Sequence, residues 1–177
     1  MKKIKQILIG THNKGKFKEL SYLLPKNLKK LSPINLRIKS PKETGNSFKA
    51  NSELKASYFF KKTGLPSLSD DSGLCIEELN NKPGIHSSRW AKRNGGFNSA
   101  MRKIIKLLKN KSTKAKFVCS LTFQIDESKK ITVQGEIKGN ISFKVLGNKG
   151  FGYDSIFIPK GFKKTFGEMS QKKKLFL

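Results

Sequence analysis

The passage from Ile4 to Leu24 restricts the fold more than any other part of the sequence. Ile4 to Ile9 is a short apolar, β-branched run that stops at Gly10, which reads as a buried strand. Thr11-His12-Asn13-Lys14-Gly15-Lys16 follows as a small polar loop. Lys16 to Leu24 then carries Phe17, Leu20, Leu23 and Leu24 at helical spacing, closed by Pro25. Strand, short loop and helix in that order open an α/β unit. Downstream, Asn35 to Ile38 reads as a second strand. Ser47 to Lys62 reads as a helix with Phe48, Ala50, Leu54, Ala56, Tyr58 and Phe59 largely on one stripe. Pro66 to Ile76 is strand-like but interrupted by Asp70-Asp71-Ser72-Gly73, and Asn81-Lys82-Pro83-Gly84 is a turn. Ala100 to Leu108 reads as a helix facing Met101, Ile104, Ile105 and Leu108 inward. Lys116 to Ile125 and Lys130 to Ile137 read as a hairpin around Asp126-Glu127-Ser128. Ile141 to Val145 and Tyr153 to Ile158 are the last strand signals. The class is α/β with a mixed sheet.

At 177 residues the chain reads as one domain over 1–177, large enough to fold without a disulfide or metal staple. Cys75 and Cys119 match no zinc or redox spacing and read as reduced, small apolar residues. No stretch approaches the ~20 apolar residues of a membrane span. Met1-Lys2-Lys3-Ile4-Lys5 imitates the basic end of a signal peptide, but the apolar Ile7-Leu8-Ile9 is too short to complete one. The expectation is a soluble, cytoplasmic protein. The net charge of +26 raises a nucleic-acid partner. Against it, the only arginines are Arg37, Arg89, Arg93 and Arg102, whereas readers of phosphates and guanine edges favour the guanidinium fork. The lysines are also spread along the whole chain, as on a generic lysine-rich surface. On either reading an anionic ligand is drawn towards the protein.

Four clusters put polar groups where strands end, the usual place for a site in an α/β sheet. The loop Thr11 to Lys16 offers helix-start N–H groups and two lysines, which suits a phosphate; equally, Thr11 or Asn13 is an ordinary helix cap. It is not a Walker loop, because the glycine spacing is wrong and no Gly-Lys-Ser/Thr follows. Glu43-Thr44-Gly45 precedes the second helix, where a lone Glu is commonly a solvated charge favoured by the dipole. Asp70-Asp71-Ser72-Gly73 lies among Leu68, Leu74 and Ile76, and buried acids need a cation or hydrogen bonds. In extended chain the two carboxylates point to opposite faces, and magnesium is commonly held by one or two such groups with substrate phosphates and water. The alternative is an Asp-rich turn. In Gly147 to Asp154 glycines permit close backbone approach and aromatics offer stacking. Lys149-Gly150-Phe151-Gly152-Tyr153 follows the start of the RNA-binding RNP1 motif, but Asp154 falls where that motif needs an aliphatic residue.

Taken in order, these clusters resemble the inosine triphosphate pyrophosphatase family. The likeness runs from Ile7 nearly to the C-terminus. It comprises Thr11 to Lys16, Glu43-Thr44-Gly45 with Phe48 and Asn51, Asp70 to Leu74, and Pro83-Gly84-Ile85 with Ser88-Arg89. It ends with Gly150 to Asp154 with Ile156-Phe157, then Thr165, Glu168 and Lys174. The resemblance implies an elongated, two-lobed α/β fold around a mixed, twisted sheet with the nucleotide in a cleft between the lobes. It implies a homodimer that uses Mg2+ to hydrolyse ITP, dITP and XTP to the monophosphate and pyrophosphate. By motif, Thr11, His12, Asn13, Lys14, Gly15 and Lys16 are implied to bind the triphosphate. Glu43 and Asp71 are implied to hold magnesium, with Asp71 the proton acceptor for the attacking water. Ser72 is implied to touch the substrate, Phe151, Gly152, Tyr153 and Asp154 to line the base and sugar, and Lys174 to contact the nucleotide.

The sequence departs from the family at Ala50, where Glu is usual, and at Ser155, where Pro is usual. It reaches Leu177 where the family's closing Ser-His-Arg motif and final helix would begin. The resemblance ties that motif to recognition of the 6-keto purine. Besides the purine triphosphate hydrolase, two other readings therefore stand: a truncated family member with little activity, and a basic nucleic-acid-binding protein.

Overall fold

The computed structural model describes residues 4–109 and 111–177. Its elements in chain order are β1 (Gln6–Ile9), α1 (Lys14–Leu23), β2 (Lys29–Leu31), α2 (Phe48–Thr63), β3 (Ser67–Ile76), β4 (Lys82–Pro83), α3 (Ser87–Arg93), α4 (Phe97–Leu107), β5 (Lys114–Gln124), β6 (Lys130–Ile141), β7 (Phe157–Pro159) and α5 (Gln171–Leu175). The strands form a mixed sheet in the order β2-β1-β3-β5-β6-β7, with β4 paired to β3. β1 runs parallel to both β2 and β3, whereas β4 and β7 pair antiparallel. The chain divides into two compact units, Met1–Asp71 with Cys119–Gly135, and Ser72–Val118 with Glu136–Leu177.

In the first unit β1 is the central parallel strand, and Ile7, Leu8 and Ile9 are buried. Its run ends at Gly10 because the chain there passes too close to its neighbours for a side chain. A Cβ at Gly10 would run into Ser69 Oγ and the Phe59 ring. α1 and α2 lie on opposite faces of β3, since consecutive β3 residues reach one each: Asp70 meets Lys16 of α1, and Asp71 meets Asn51 of α2. The buried face of α2 is not the apolar stripe expected from the sequence. Phe48, Asn51, Ser52, Lys55, Ala56 and Phe59 are buried, while Ala50, Leu54 and Tyr58 are only partly so. α2 meets β5 through hydroxyls: Ser52 Oγ shares hydrogen bonds with Ser120 Oγ (3.0 Å) and Thr122 Oγ1 (2.8 Å). Ser57 donates to Gln124 at 2.8 Å.

The second unit holds the larger apolar core. α4 contributes Ala100, Met101 and Ile104, with Leu108 just past its end, and Leu74, Ile76, Ile141, Ile156, Phe157 and Phe166 pack with them. Phe117, Phe157 and Phe166 meet as an aromatic trio with centroids 4.8 to 6.1 Å apart.

Several sequence expectations give way to local hydrogen bonding. Asn35 to Ile38 is a turn, not a strand. Asn35 Oδ1 accepts from Ser32, Ile38 N–H donates to the Pro33 carbonyl, and Arg37 has φ of 53°. The second strand is instead Lys29–Leu31, whose lysines hide the β signal yet suit a sheet edge. β3 runs unbroken through Asp70-Asp71-Ser72-Gly73, so the Asp-rich turn is excluded. Ile141 ends β6, and the strand expected to Val145 is absent because Ser142 Oγ turns the chain by accepting from Lys144 N–H. Tyr153 to Ile156 is likewise no strand. Gly152 has φ of 66°, Asp154–Ile156 is a single 3-10 turn, and β7 begins only at Phe157. Both cysteines are free thiols, as expected; Cys75 is buried and Cys119 exposed.

Gly10→Ala should lower stability by about 1–3 kcal/mol, the usual cost of forcing atoms into a packed site, read as an earlier urea midpoint. An unchanged midpoint would mean that the Ser69 and Phe59 contacts are not tight.

Candidate active site

β2 and β3 flank β1 on opposite sides, so the crevice at the carboxyl end of β1 is a topological switch point, where open α/β sheets place ligands. Residues 10–16 follow directly from that end of β1. Asn13 caps α1, its Oδ1 accepting from Gly15 N–H (2.8 Å) and Lys16 N–H (3.2 Å), while Thr11 Oγ1 accepts from Asn13 N–H (3.1 Å). The loop is therefore held rigid by its own polar side chains, and of the two candidate caps Asn13 is the one used. Both His12 nitrogens are engaged: Nδ1 with Ser40 Oγ at 2.6 Å and Nε2 with the Ile38 carbonyl at 3.0 Å. That carbonyl can only accept, so Nε2 carries a proton and donates to it. His12 thus ties the phosphate-suited loop to the segment leading to Glu43. Lys14 is exposed.

Asp70 and Asp71 are only 4% and 5% exposed, and each has an ammonium. Lys16 Nζ lies 2.6 Å from Asp70 Oδ2. Burial works against the Lys16 charge, but the adjoining Asp70 outweighs it, and the lysine pKa is raised. Lys55 Nζ lies 2.8 Å from Glu43 Oε1 and 3.8 Å from Asp71 Oδ1. Asn51 completes this arrangement. Its Nδ2 donates to Asp71 Oδ2 at 3.0 Å, and its Oδ1 accepts from Gly45 N–H at 2.8 Å, pinning the turn that carries Glu43. Gly45 is required there because a Cβ would meet Asn51 Oδ1 at 2.7 Å. Burial lifts the Asp71 carboxyl to about 6; Lys55 and the Asn51 hydrogen bond oppose the shift, and the Glu43 charge adds to it.

Glu43 and Asp71 thus converge from distant stretches of chain on a single cation, as their expected pairing requires, but that cation is the Lys55 ammonium. Sequence reading passed over Lys55. The signal was present: Asn51, Lys55 and Phe59 recur every four residues on one face of α2, and a lysine in a buried stripe needs a partner. Among the described residues, these ion pairs set three carboxylates against two ammonium groups, one negative charge in excess when all are ionised. Among the described residues, no group of three or more His, Cys, Asp or Glu is placed to hold a metal with protein ligands alone.

The second unit carries its own cluster. Asp154 is buried, and its Oδ2 accepts from Lys174 Nζ (2.7 Å) and from Phe151 N–H (2.8 Å). Burial raises the Asp154 pKa, with Lys174 and the Phe151 N–H pulling it back. The Lys174 ammonium also sits 4.7 Å from the Phe151 ring centroid and 5.5 Å from that of Phe166. α5, capped by Ser170, carries this lysine. Gly150 must be glycine twice over, with φ of 77° and the Asp154 carboxylate where a Cβ would be. Tyr153 is not a surface group: it is 2% exposed, stacks edge-on against Phe97, and donates to the Ser87 carbonyl at 3.0 Å. Gly152 and Ser72 are half-buried.

The sequence model of the Ham1 family matches residues 7–176. The chain is 38% identical to the dITP/XTP pyrophosphatase of Zymomonas mobilis over 174 residues, covering 96% of this chain and 83% of that protein. It is 36% identical to the dITP/XTP pyrophosphatase of Brucella melitensis over 179 residues, covering 96% and 81%. Among solved structures, a HAM1 protein from Coxiella burnetii superposes with a TM-score of 0.84 at 31% identity, covering 96% of this chain and 89% of that one. The nucleoside-triphosphatase, or dITP/XTP pyrophosphatase, of Mycobacterium abscessus gives 0.76 at 34% identity, covering 96% and 91%.

The raised Asp71 pKa fixes a pH dependence. The folded state binds this proton more tightly than the unfolded chain, so Asp71 costs stability as pH rises from about 4 to about 6. Asn at this position has no charge to bury. With a chelator present, the stability of Asp71→Asn relative to the parent chain should climb across that window by up to about 3 kcal/mol. A constant difference between the two urea midpoints from pH 4 to pH 6.5 would show the carboxyl to be unshifted.

Proposed function

The chain belongs to the Ham1 family, and from that premise we propose that it hydrolyses deaminated purine nucleoside triphosphates, ITP, dITP and XTP, to the monophosphate and pyrophosphate. Those products require the α–β phosphoanhydride bridge to break, with one water consumed and its oxygen ending on one of the two phosphorus atoms of that bridge. The observation that carries this reading is the meeting of Glu43 and Asp71 on one cation position, in the unit whose switch-point loop presents Lys14 and Lys16. The proposal assigns the whole chain, 1–177, to one hydrolase domain.

The donor set fits magnesium. Glu43 and Asp71 offer hard carboxylate oxygens, the local charge is negative, and magnesium commonly takes one or two carboxylates with water and substrate phosphates completing its shell. Glu43 and Asp71 are the residues that would hold it, and the bound ion would neutralise charge on the phosphate oxygens.

Asp71 takes the proton from the attacking water. In the metal-free site burial lifts this carboxyl to about 6, so it is ionised and able to accept a proton at neutral pH. Asn51 orients its Oδ2, and Lys55 faces its Oδ1. Lys14, Lys16 and the start of α1, with Thr11, Asn13 and Gly15 shaping the loop, take the triphosphate, which mainly needs positioning and charge neutralisation. Ser72, Phe151, Gly152, Asp154 and Lys174 are assigned to substrate contacts. Lys174 is a donor only, so it suits a keto oxygen at the purine 6 position and not the amine of adenine. His12 and Tyr153 act through the fold, holding the Glu43 segment and the Ser87 carbonyl. The same reading takes the protein to be a cytoplasmic homodimer. Among the described residues no helix is long and apolar enough to cross a membrane.

Pyrophosphate release from ITP, XTP, dITP, ATP and GTP, with and without a chelator, tests this reading. Hydrolysis of the three deaminated nucleotides should dominate, stop when magnesium is removed, and disappear in Asp71→Asn while the fold survives. Equal release from ATP and ITP would refute the specificity, and turnover retained by Asp71→Asn would refute the mechanism. Light scattering should give twice the 19.9 kDa chain mass.

A further inference from the structure

The function above gives work to Asp71 and to Lys16, but none to Asp70. Asp70 is nearly fully buried in the middle of β3, on the face opposite Asp71, and its Oδ2 lies 2.6 Å from Lys16 Nζ. Resting on the reading that residues 11–16 take the triphosphate, we propose that Asp70 is the positioning residue for Lys16.

Lys16 has a long, flexible side chain, and such a group binds an anion well only if its tip is already in place. The chain fixes it at both ends. At the backbone, Asn13 Oδ1 accepts from Lys16 N–H at 3.2 Å and from Gly15 N–H at 2.8 Å. At the tip, Asp70 holds the ammonium, keeping the lysine charged despite its burial. An ammonium carries three N–H donors, and one carboxylate oxygen takes one of them, so the pairing leaves donors for a phosphate oxygen. Asp70 does not touch substrate; it acts through Lys16. The two consecutive acids therefore divide the work by the pleat of the strand. Asp71 faces α2 and the reacting water, whereas Asp70 faces α1 and the phosphate-binding lysine.

The test reads anion binding apart from turnover. Calorimetry of the full chain with inorganic triphosphate and magnesium compares the parent, Asp70→Asn, Asp70→Glu, Lys16→Met and the double variant Asp70→Asn with Lys16→Met. Asp70→Asn should weaken triphosphate binding about 10-fold, the loss expected when one charge-assisted contact is no longer held in place. In the Lys16→Met background the same change should alter binding by less than about 2-fold, because its effect passes through the lysine. On ITP, Asp70→Asn should raise KM by a similar factor while kcat stays within about 3-fold. Asp70→Glu keeps the charge pair but displaces it, and should bind about 3-fold more weakly than the parent; this arm decides if Asp70→Asn does not fold. Unchanged or tighter binding in Asp70→Asn, an equal loss in the Lys16→Met background, or parent-like affinity in Asp70→Glu overturns the inference. A parent that binds triphosphate but hydrolyses no deaminated nucleotide defeats the proposed function alone. A parent that does not bind triphosphate overturns both.

Discussion

Two consecutive carboxylates buried in mid-strand set the terms for the first unit. Moving an ionised carboxylate out of water is far more costly than a typical domain's surplus stability allows. Asp70 and Asp71 can occupy β3 only if each is met by a cation or by donors on its own side of the sheet. Alternation along the strand sends them to opposite faces, so one helix cannot serve both. α1 answers Asp70 with Lys16, and α2 answers Asp71 with Lys55 and Asn51. The layering of two helices about a parallel sheet is common to many folds. Here the same layering also satisfies the charges.

The polar inner face of α2 follows from that demand. A helix delivering Asn51 and Lys55 to a strand cannot bury a wholly apolar stripe, and the hydroxyl contacts of Ser52 with Ser120 and Thr122 continue the polar pattern. Such a face is specific at some cost in stability, since each polar group must find its partner in one register. Asn51 shows how tightly the parts are coupled. One amide binds the Glu43 turn through Gly45 N–H and the Asp71 carboxylate through its NH2, so the spacing between the two acids is set by a single side chain.

The helix and strand order was legible wherever apolar spacing was regular: β1, α1, α4 and the β5–β6 hairpin stand close to their expected places. What failed was decided by hydrogen bonds that no periodicity reports. Asn35 folding back on Ser32 made a turn of a strand-like tetrapeptide, and Gly152 at positive φ made one of Tyr153 to Ile156. The strand Lys29–Leu31 escaped because its sequence is two-thirds lysine, which is a sheet-edge composition and not a β-former pattern. The clusters at residues 11–16, 43–45 and 70–73 were visible because glycines and acids stood where strands and helices end. Lys55 was not, because a lysine inside a helix normally reads as solvated surface. Its meaning came only from the two carboxylates that it faces. The burial of Tyr153 was equally hidden, because an aromatic in a glycine-rich loop carries no mark of whether its ring points outward or into the core.

The large positive charge and the acidic centre are compatible because they act at different ranges. Thirty-eight basic residues against twelve acidic ones give a field that draws polyanions from a distance and weakens with salt. That field is indifferent to what the anion is. At contact distance the balance reverses, with Glu43, Asp70 and Asp71 outnumbering Lys16 and Lys55. A bare polyanion such as a nucleic-acid backbone gains nothing from three carboxylates, whereas a triphosphate arriving with a divalent cation has a partner for each sign. Under the proposed function, discrimination between the two rests on these acids and not on the many lysines, and the buried pair in β3 supplies two of them.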